Sequence, residues 1–132
     1  MYPEDFDGLL VSTKREFELL KPQVRVAYCL HQLEAEVNNG GFHQFLSNSS
    51  GEYVRETIDA LTQIQAPKTR ELLQRAVAIC FPDGYPFDPT DYETLVADFD
   101  DVSDTLEPLD QEFFTYAEPL ADLVNAYLAR GA

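Results

Sequence analysis

Apolar residues recur at three- and four-residue steps along most of this chain, the period of helices with one face turned inward. Phe6, Leu9, Leu10, Thr13, Phe17 and Leu20 keep that period and predict a first helix over about 3–20, with Glu4 and Asp5 suited to its first turn. Pro22 opens a second helix where its missing N–H costs nothing, and Val26, Cys29, Leu30, Leu33 and Val37 make its inward stripe. A third helix over 52–65 turns Val54, Ile58, Leu61 and Ile64 inward; Pro67 starts a fourth with Leu72, Leu73, Ala76, Val77 and Cys80. The prolines and glycine of Phe81–Pro89 predict a loop. Thr90 and Glu93 have capping-box spacing and begin a helix with Tyr92, Leu95, Val96 and Phe99 inside, fraying among Asp100, Asp101 and Ser103. Pro108 and Pro119 mark the early turns of two last helices, carrying Leu109, Phe113 and Tyr116, then Leu120, Leu123, Val124 and Tyr127. No segment alternates as a strand does. The expected fold is all-α, a compact single-domain bundle of about six to eight helices spanning residues 1–132.

One stretch interrupts the pattern. Asn38-Asn39-Gly40-Gly41 is a helix stop, because Asn and Gly tolerate the left-handed backbone that ends a helix. Asn48-Ser49-Ser50-Gly51 stops the chain again, and between the two lies one amphipathic turn with Phe42, Phe45 and Leu46 at helical spacing. Such a segment predicts a corner that sets how the flanking helices cross. Asn39, Gln44 and Asn48 have amides to offer a ligand there. Asn and Ser side chains also cap helix ends, and phenylalanines seal cores, so the structural role is the favoured one.

Composition narrows the function classes. The net charge of −15 argues against direct binding to nucleic acid or to an anionic membrane surface, which require basic patches, and favours a basic partner. The charge is also uneven, for between Arg75 and Arg130 there is no Lys or Arg at all. That segment carries Asp83, Asp88, Asp91, Glu93, Asp98, Asp100, Asp101, Asp104, Glu107, Asp110, Glu112, Glu118 and Asp122. There is no apolar run of transmembrane length, and the acidic start is unlike a signal peptide, so a cytoplasmic protein is expected. Cys29 and Cys80 fall on apolar helix faces and read as buried reduced thiols.

Catalytic signatures are weak. His31 and Glu34 lie one helical turn apart, but two histidines with no His-x-x-x-His or Cys-x-x-Cys pair make a poor metal set, and His43 has no partner nearby in sequence. Asp101 and Glu112 have the end-to-end spacing of an EF-hand loop, yet Leu106 stands where Gly is needed and Pro108 intrudes. No nucleophile elbow, phosphate loop or dinucleotide fingerprint is present, and neither an enzyme nor a cofactor is expected. The acids carry more. Asp98, Asp101 and Asp104, or Asp100, Asp104 and Glu107, recur at helical steps, which sets carboxylates about 5–6 Å apart. That spacing is comparable to the charge spacing along a nucleic-acid strand, with its rise of about 3.4 Å per nucleotide. A row of this kind fits the phosphate-binding groove of a basic DNA-binding protein. Clustered like charges also predict that salt, or the substitutions Asp100→Asn and Asp104→Asn, stabilise the fold.

The run VNNGGFHQFLSNSSGE resembles the signature of a bacterial family whose best-described members are DNA-mimic proteins, at Asn38, Asn39, Gly40, Gly41, Phe42, Gln44, Phe45, Asn48 and Gly51. The similarity continues through AYCLHQLEAEV, IQAPKTRELLQRAVAICFP and LEPLDQEFFTYAEPLADLVNAYL. It implies an acidic protein that competes with DNA for a basic DNA-binding protein such as a transcription regulator. Because such targets are often symmetric dimers, a homodimer of this chain is an attractive match. Two other readings stay open: an immunity-type inhibitor covering the basic cleft of a nuclease toxin, and a small-ligand or enzymatic site at the Asn39–Gln44–Asn48 corner with His31 or His43.

Overall fold

The computed structural model describes residues 14–47, 53–81 and 103–130. Among these residues the chain is all-α, with helices α1 (Lys14–Glu18), α2 (Pro22–Ser47), α3 (Val54–Gln63), α4 (Pro67–Cys80), α5 (Ser103–Phe114) and α6 (Leu120–Ala129). The part of the expected first helix before Lys14, the 81–89 loop beyond Phe81, the helix expected to begin at Thr90, and the second stop at Asn48–Gly51 lie outside the described residues.

Helix α2 is the hub and packs against α3, α4, α5 and α6. Its predicted stripe is its buried one: Val26, Cys29, Leu30, Leu33 and Val37 are all shielded from solvent. Helical backbone is broken inside α2 at Gly40 and Gly41, the latter with φ +75°, a conformation that favours glycine. After this kink the chain resumes helical form, and Phe42, Phe45 and Leu46 enter the core with no exposed surface. The expected corner is therefore a kink that redirects three large side chains into the interior. Phe42 meets Phe113 of α5 edge-on at 5.7 Å, the geometry favoured by ring quadrupoles.

Helix ends differ from expectation where local hydrogen bonds tighten the last turn. α1 closes at Glu18, with Leu19 N–H bonding Glu16 O at 3.2 Å and Leu20 N–H bonding Phe17 O at 3.1 Å. Leu20 still packs against the core, whereas Leu19 is 76% exposed. α3 ends at Gln63, two residues short of the expected Gln65. There Ala66 N–H reaches back to Leu61 O at 2.9 Å, Gln65 N–H to Thr62 O at 3.1 Å, and Gln65 itself adopts φ +63°. This is the Schellman arrangement, built on a glutamine instead of the usual glycine. Ala66 and Leu61, the two positions where this motif places its apolar contact, are both buried. α4 runs from Pro67 as expected, and Leu72, Leu73, Ala76 and Cys80 are buried.

Pro108 lies in the second turn of α5, because the helix begins at Ser103. Leu106, Leu109 and Phe113 turn inward at three- and four-residue steps. Tyr116, expected inside, sits beyond the end of this helix with φ +48° and is 38% exposed. Pro119 caps α6, which buries Leu120, Val124 and Tyr127. Among the described residues no helix is long and apolar enough to cross a membrane.

Candidate partner-binding surface

Of the acidic residues singled out in the sequence, Asp104, Glu107, Asp110 and Glu112 lie on α5, and Asp83, Asp88, Asp91, Glu93, Asp98, Asp100 and Asp101 lie outside the described residues. Because Leu106, Leu109 and Phe113 take the inner face of α5, helical geometry sends Asp104, Glu107 and Glu112 to solvent. From Asp104 to Glu112 the helix advances about 12 Å along its axis. One nucleic-acid strand presents roughly three to four phosphates over that distance. Three carboxylates over that length approach the charge count of a single strand.

One nearby base offsets part of this charge. Arg75 approaches Glu112 at 3.8 Å with both side chains more than half exposed, the kind of pair that contributes at most about 1 kcal/mol.

Two acids of the C-terminal part do a different job. The Asp110 carboxylate accepts the Phe42 backbone N–H at 2.8 Å, so α5 caps the helical turn that follows the kink in α2. Burial pushes its carboxyl above the usual carboxylate range; the Phe42 N–H pulls the other way, Glu107 adds to the rise and His43 opposes it. Glu118 caps α4 in the same fashion. Its carboxylate accepts the Lys68 N–H at 3.1 Å, the Thr69 N–H at 2.7 Å and the Thr69 hydroxyl at 2.8 Å. Nothing in the sequence distinguished these two from their acidic neighbours, since the donors they meet are 68 and 49 residues away.

At the kink the family-type amides bond to the protein itself. Asn39 Nδ2 donates to Gln44 Oε1 at 3.2 Å, and Gln44 Nε2 donates to Glu36 Oε2 at 2.9 Å. Asn38 Nδ2 donates to the Tyr116 hydroxyl at 2.8 Å, and that hydroxyl lies 3.4 Å from Glu34 Oε2. Asn38 and Asn39 are exposed, while Gln44 is half-buried. Asn48 and Gly51 fall outside the described residues.

Other chemistry is sparse. Among the described residues no three His, Cys, Asp or Glu side chains converge on a point where a metal ion would sit. Cys29 and Cys80 are buried thiols with no disulfide between them, and burial pushes Cys80 up to about 12. A cleft of about 370 Å³ opens between α1, the start of α2 and α3, walled by Phe17, Val26 and Cys29. A second, of about 340 Å³, lies between α4 and the turn joining α5 to α6, with Phe113 and Tyr116 on one side and Lys68 and Arg75 among its lining.

Comparison with curated proteins and with solved structures returns no match. A family model does match, over residues 18–131, which takes in the kink and helices α2 to α6. The chain belongs to the DMP19-like protein family.

Proposed function

We propose that this protein is a DNA mimic: it binds a basic DNA-binding protein through its acidic C-terminal part and so competes with DNA. The observation that carries the reading is the solvent face of α5, where Asp104, Glu107 and Glu112 project from a helix whose opposite side is fully engaged in the core. Membership in the DMP19-like family supports it at the level of the family. The absence of any Lys or Arg between residues 75 and 130 supports it too, since within this part of the sequence no base offsets the acids. No bond-making step is needed. Electrostatic steering speeds the encounter and makes it salt-sensitive.

The test is affinity capture from lysate with the whole chain as bait, at low and at high salt, with duplex DNA as competitor. Mimicry predicts recovery of a basic DNA-binding protein at low salt that is lost at high salt and displaced by duplex. Capture of nothing basic, or capture indifferent to DNA, overturns it. A nuclease toxin in the captured fraction replaces the regulator-directed reading with the inhibitor one.

A further inference from the structure

We infer that the cleft between α1, the start of α2 and α3 is a docking site for a basic amphipathic segment of a partner protein. An apolar anchor side chain of that segment enters the cleft while flanking lysines or arginines meet its walls. The inference does not depend on the α5 surface, for it concerns the other end of α2. From Cys29 to Gly40 that helix advances about 16 Å, which separates the cleft from the kink that α5 caps.

The build of the cleft carries it. Phe17 of α1 and Val26 and Cys29 of α2 give it an apolar lining, and Pro22 adds to this where α2 begins. The charges come from the flanking helices. Glu18 stands on α1 and Glu56 and Asp59 on α3, so acids line it from two sides, against a single base, Arg25, among the described lining residues. Arg25 is already engaged, for Nη1 donates to the Glu18 backbone carbonyl at 3.4 Å and ties α2 to α1. Asp59 receives a neutral amide, that of Gln63, at 2.7 Å, and so keeps its charge. Glu18 and Asp59 are both exposed, within reach of a visitor. The cleft thus joins an apolar surface to a negative rim.

Size and sign choose the occupant. The volume of about 370 Å³ is at the small end of the range for ligand pockets, about 300–1,000 Å³. One turn of a helix with its side chains, about 10–12 Å across and 5.4 Å long, needs more room than that. An anchoring side chain fits, with the rest of its segment lying across the rim, the mode by which amphipathic helices seat anchors in grooves. Lysine and arginine suit the flanking positions, because their stems lie on apolar surface while their heads reach the carboxylates. The chain's own leading segment carries Glu4, Asp5 and Asp7 and has the wrong sign for this rim. The cleft beside Tyr116 offers no such selection, since Lys68 and Arg75 mix there with Glu71, Glu112 and Glu118.

The experiment titrates the full chain with a labelled amphipathic peptide of leucine and lysine, followed by anisotropy, beside oligolysine of equal charge. The leucine–lysine peptide is expected to bind at least about tenfold more tightly than oligolysine, as burial of one apolar anchor implies. Glu18→Lys combined with Asp59→Lys should weaken it about tenfold. Glu107→Lys combined with Glu112→Lys makes the same change of charge on α5 and should weaken it far less. Equal losses in the two pairs, or oligolysine binding as tightly, would mean that the peptide senses only net charge, and overturns the inference. Should the first pair unfold, the unmodified chain decides by NMR. The backbone amide signals of Val26, Cys29, Asp59 and Gln63 shift with the leucine–lysine peptide; shifts confined to α5, or none at the cleft, overturn the inference. The two proposals fail separately. Peptide docking at the cleft without any DNA-displaceable partner in lysate leaves this site and removes mimicry; such a partner without docking at the cleft does the reverse.

Discussion

The backbone N–H of Phe42 and the carboxylate of Asp110 meet at 2.8 Å across 68 residues of sequence, joining the kink of α2 to the middle of α5. The approach is so close that a side chain at Gly41 would run into the same carboxylate. Asp110→Ala should therefore destabilise the fold by about 1–2 kcal/mol, as loss of a helix cap does. Gly41→Ala should cost more, because it adds strain at φ +75° to the clash. Gly40→Ala meets Gln44, its Cβ included, and so also destabilises, but its φ of −152° adds no left-handed strain and it should be the milder of the two glycine substitutions. Chemical denaturation of the three variants ranks them directly.

The same carboxylate predicts a pH dependence. Burial raises its value in the folded state, so Asp110 holds its proton more tightly folded than unfolded. Its contribution to stability is then complete below the usual carboxylate value and is lost as pH rises through the raised folded value. Asp110→Asn keeps an acceptor for the Phe42 N–H and removes the titration. The stability of this variant relative to wild type should rise between acid and neutral pH, measured by melts across that range. A flat difference would mean that the carboxyl is not held up by burial.

Glu118 is expected to matter for the fold, not for the partner. It satisfies the first N–H groups of α4 and the Thr69 hydroxyl together. Glu118→Ala should lower stability by about 1–2 kcal/mol. Glu118→Gln should lose less. Binding of a basic partner, scored in the folded fraction, should change far less than on Glu107→Gln.

At the end of α3 the chain is improvable. Gln65 occupies the left-handed position of a Schellman turn. Replacing it with glycine removes the Cβ penalty there and should stabilise the protein by about 0.5–1 kcal/mol, a gain visible in thermal melts. No gain would mean that the Gln65 side chain offsets the backbone cost through a contact of its own.

Asp104 tests how the acids are distributed. Repulsion from neighbouring acids, considered alone, predicts that Asp104→Asn stabilises. Its place in the first turn of α5 reverses that expectation. An acid beside a helix N-terminus contributes about 0.3–1 kcal/mol, against about 0.2–0.5 kcal/mol for repulsion one turn away at Glu107. A small loss of stability is expected on Asp104→Asn, measured at low salt. A gain would show that the summed acidic field outweighs the local dipole.

Much of the helical layout was legible in the chain. Pro22 and Pro67 mark helix starts because a residue without N–H loses nothing there. The stripe Val26, Cys29, Leu30, Leu33 and Val37 is the buried face because a helix offers only one side to its neighbours. Asn38-Asn39-Gly40-Gly41 marks the kink because glycine alone takes φ +75° without strain. Each is a local property, decided by bonds and sterics within a few residues.

What local rules could not reach was decided by tertiary structure. Gln65 and Tyr116 take positive φ with no glycine to announce it: Gln65 closes the Schellman bonds that end α3, and Tyr116, its N–H on Phe113 O, turns the chain from α5 towards α6. Asp104, Glu107, Asp110, Glu112 and Glu118 look alike in sequence, yet two of them cap distant helices and three face solvent. Their roles depend on which backbone donor arrives across the core, a distance that sequence spacing does not encode. Charge was written in the chain; which charges stay in solvent was settled only when α5 and its following turn came to rest on α2 and α4.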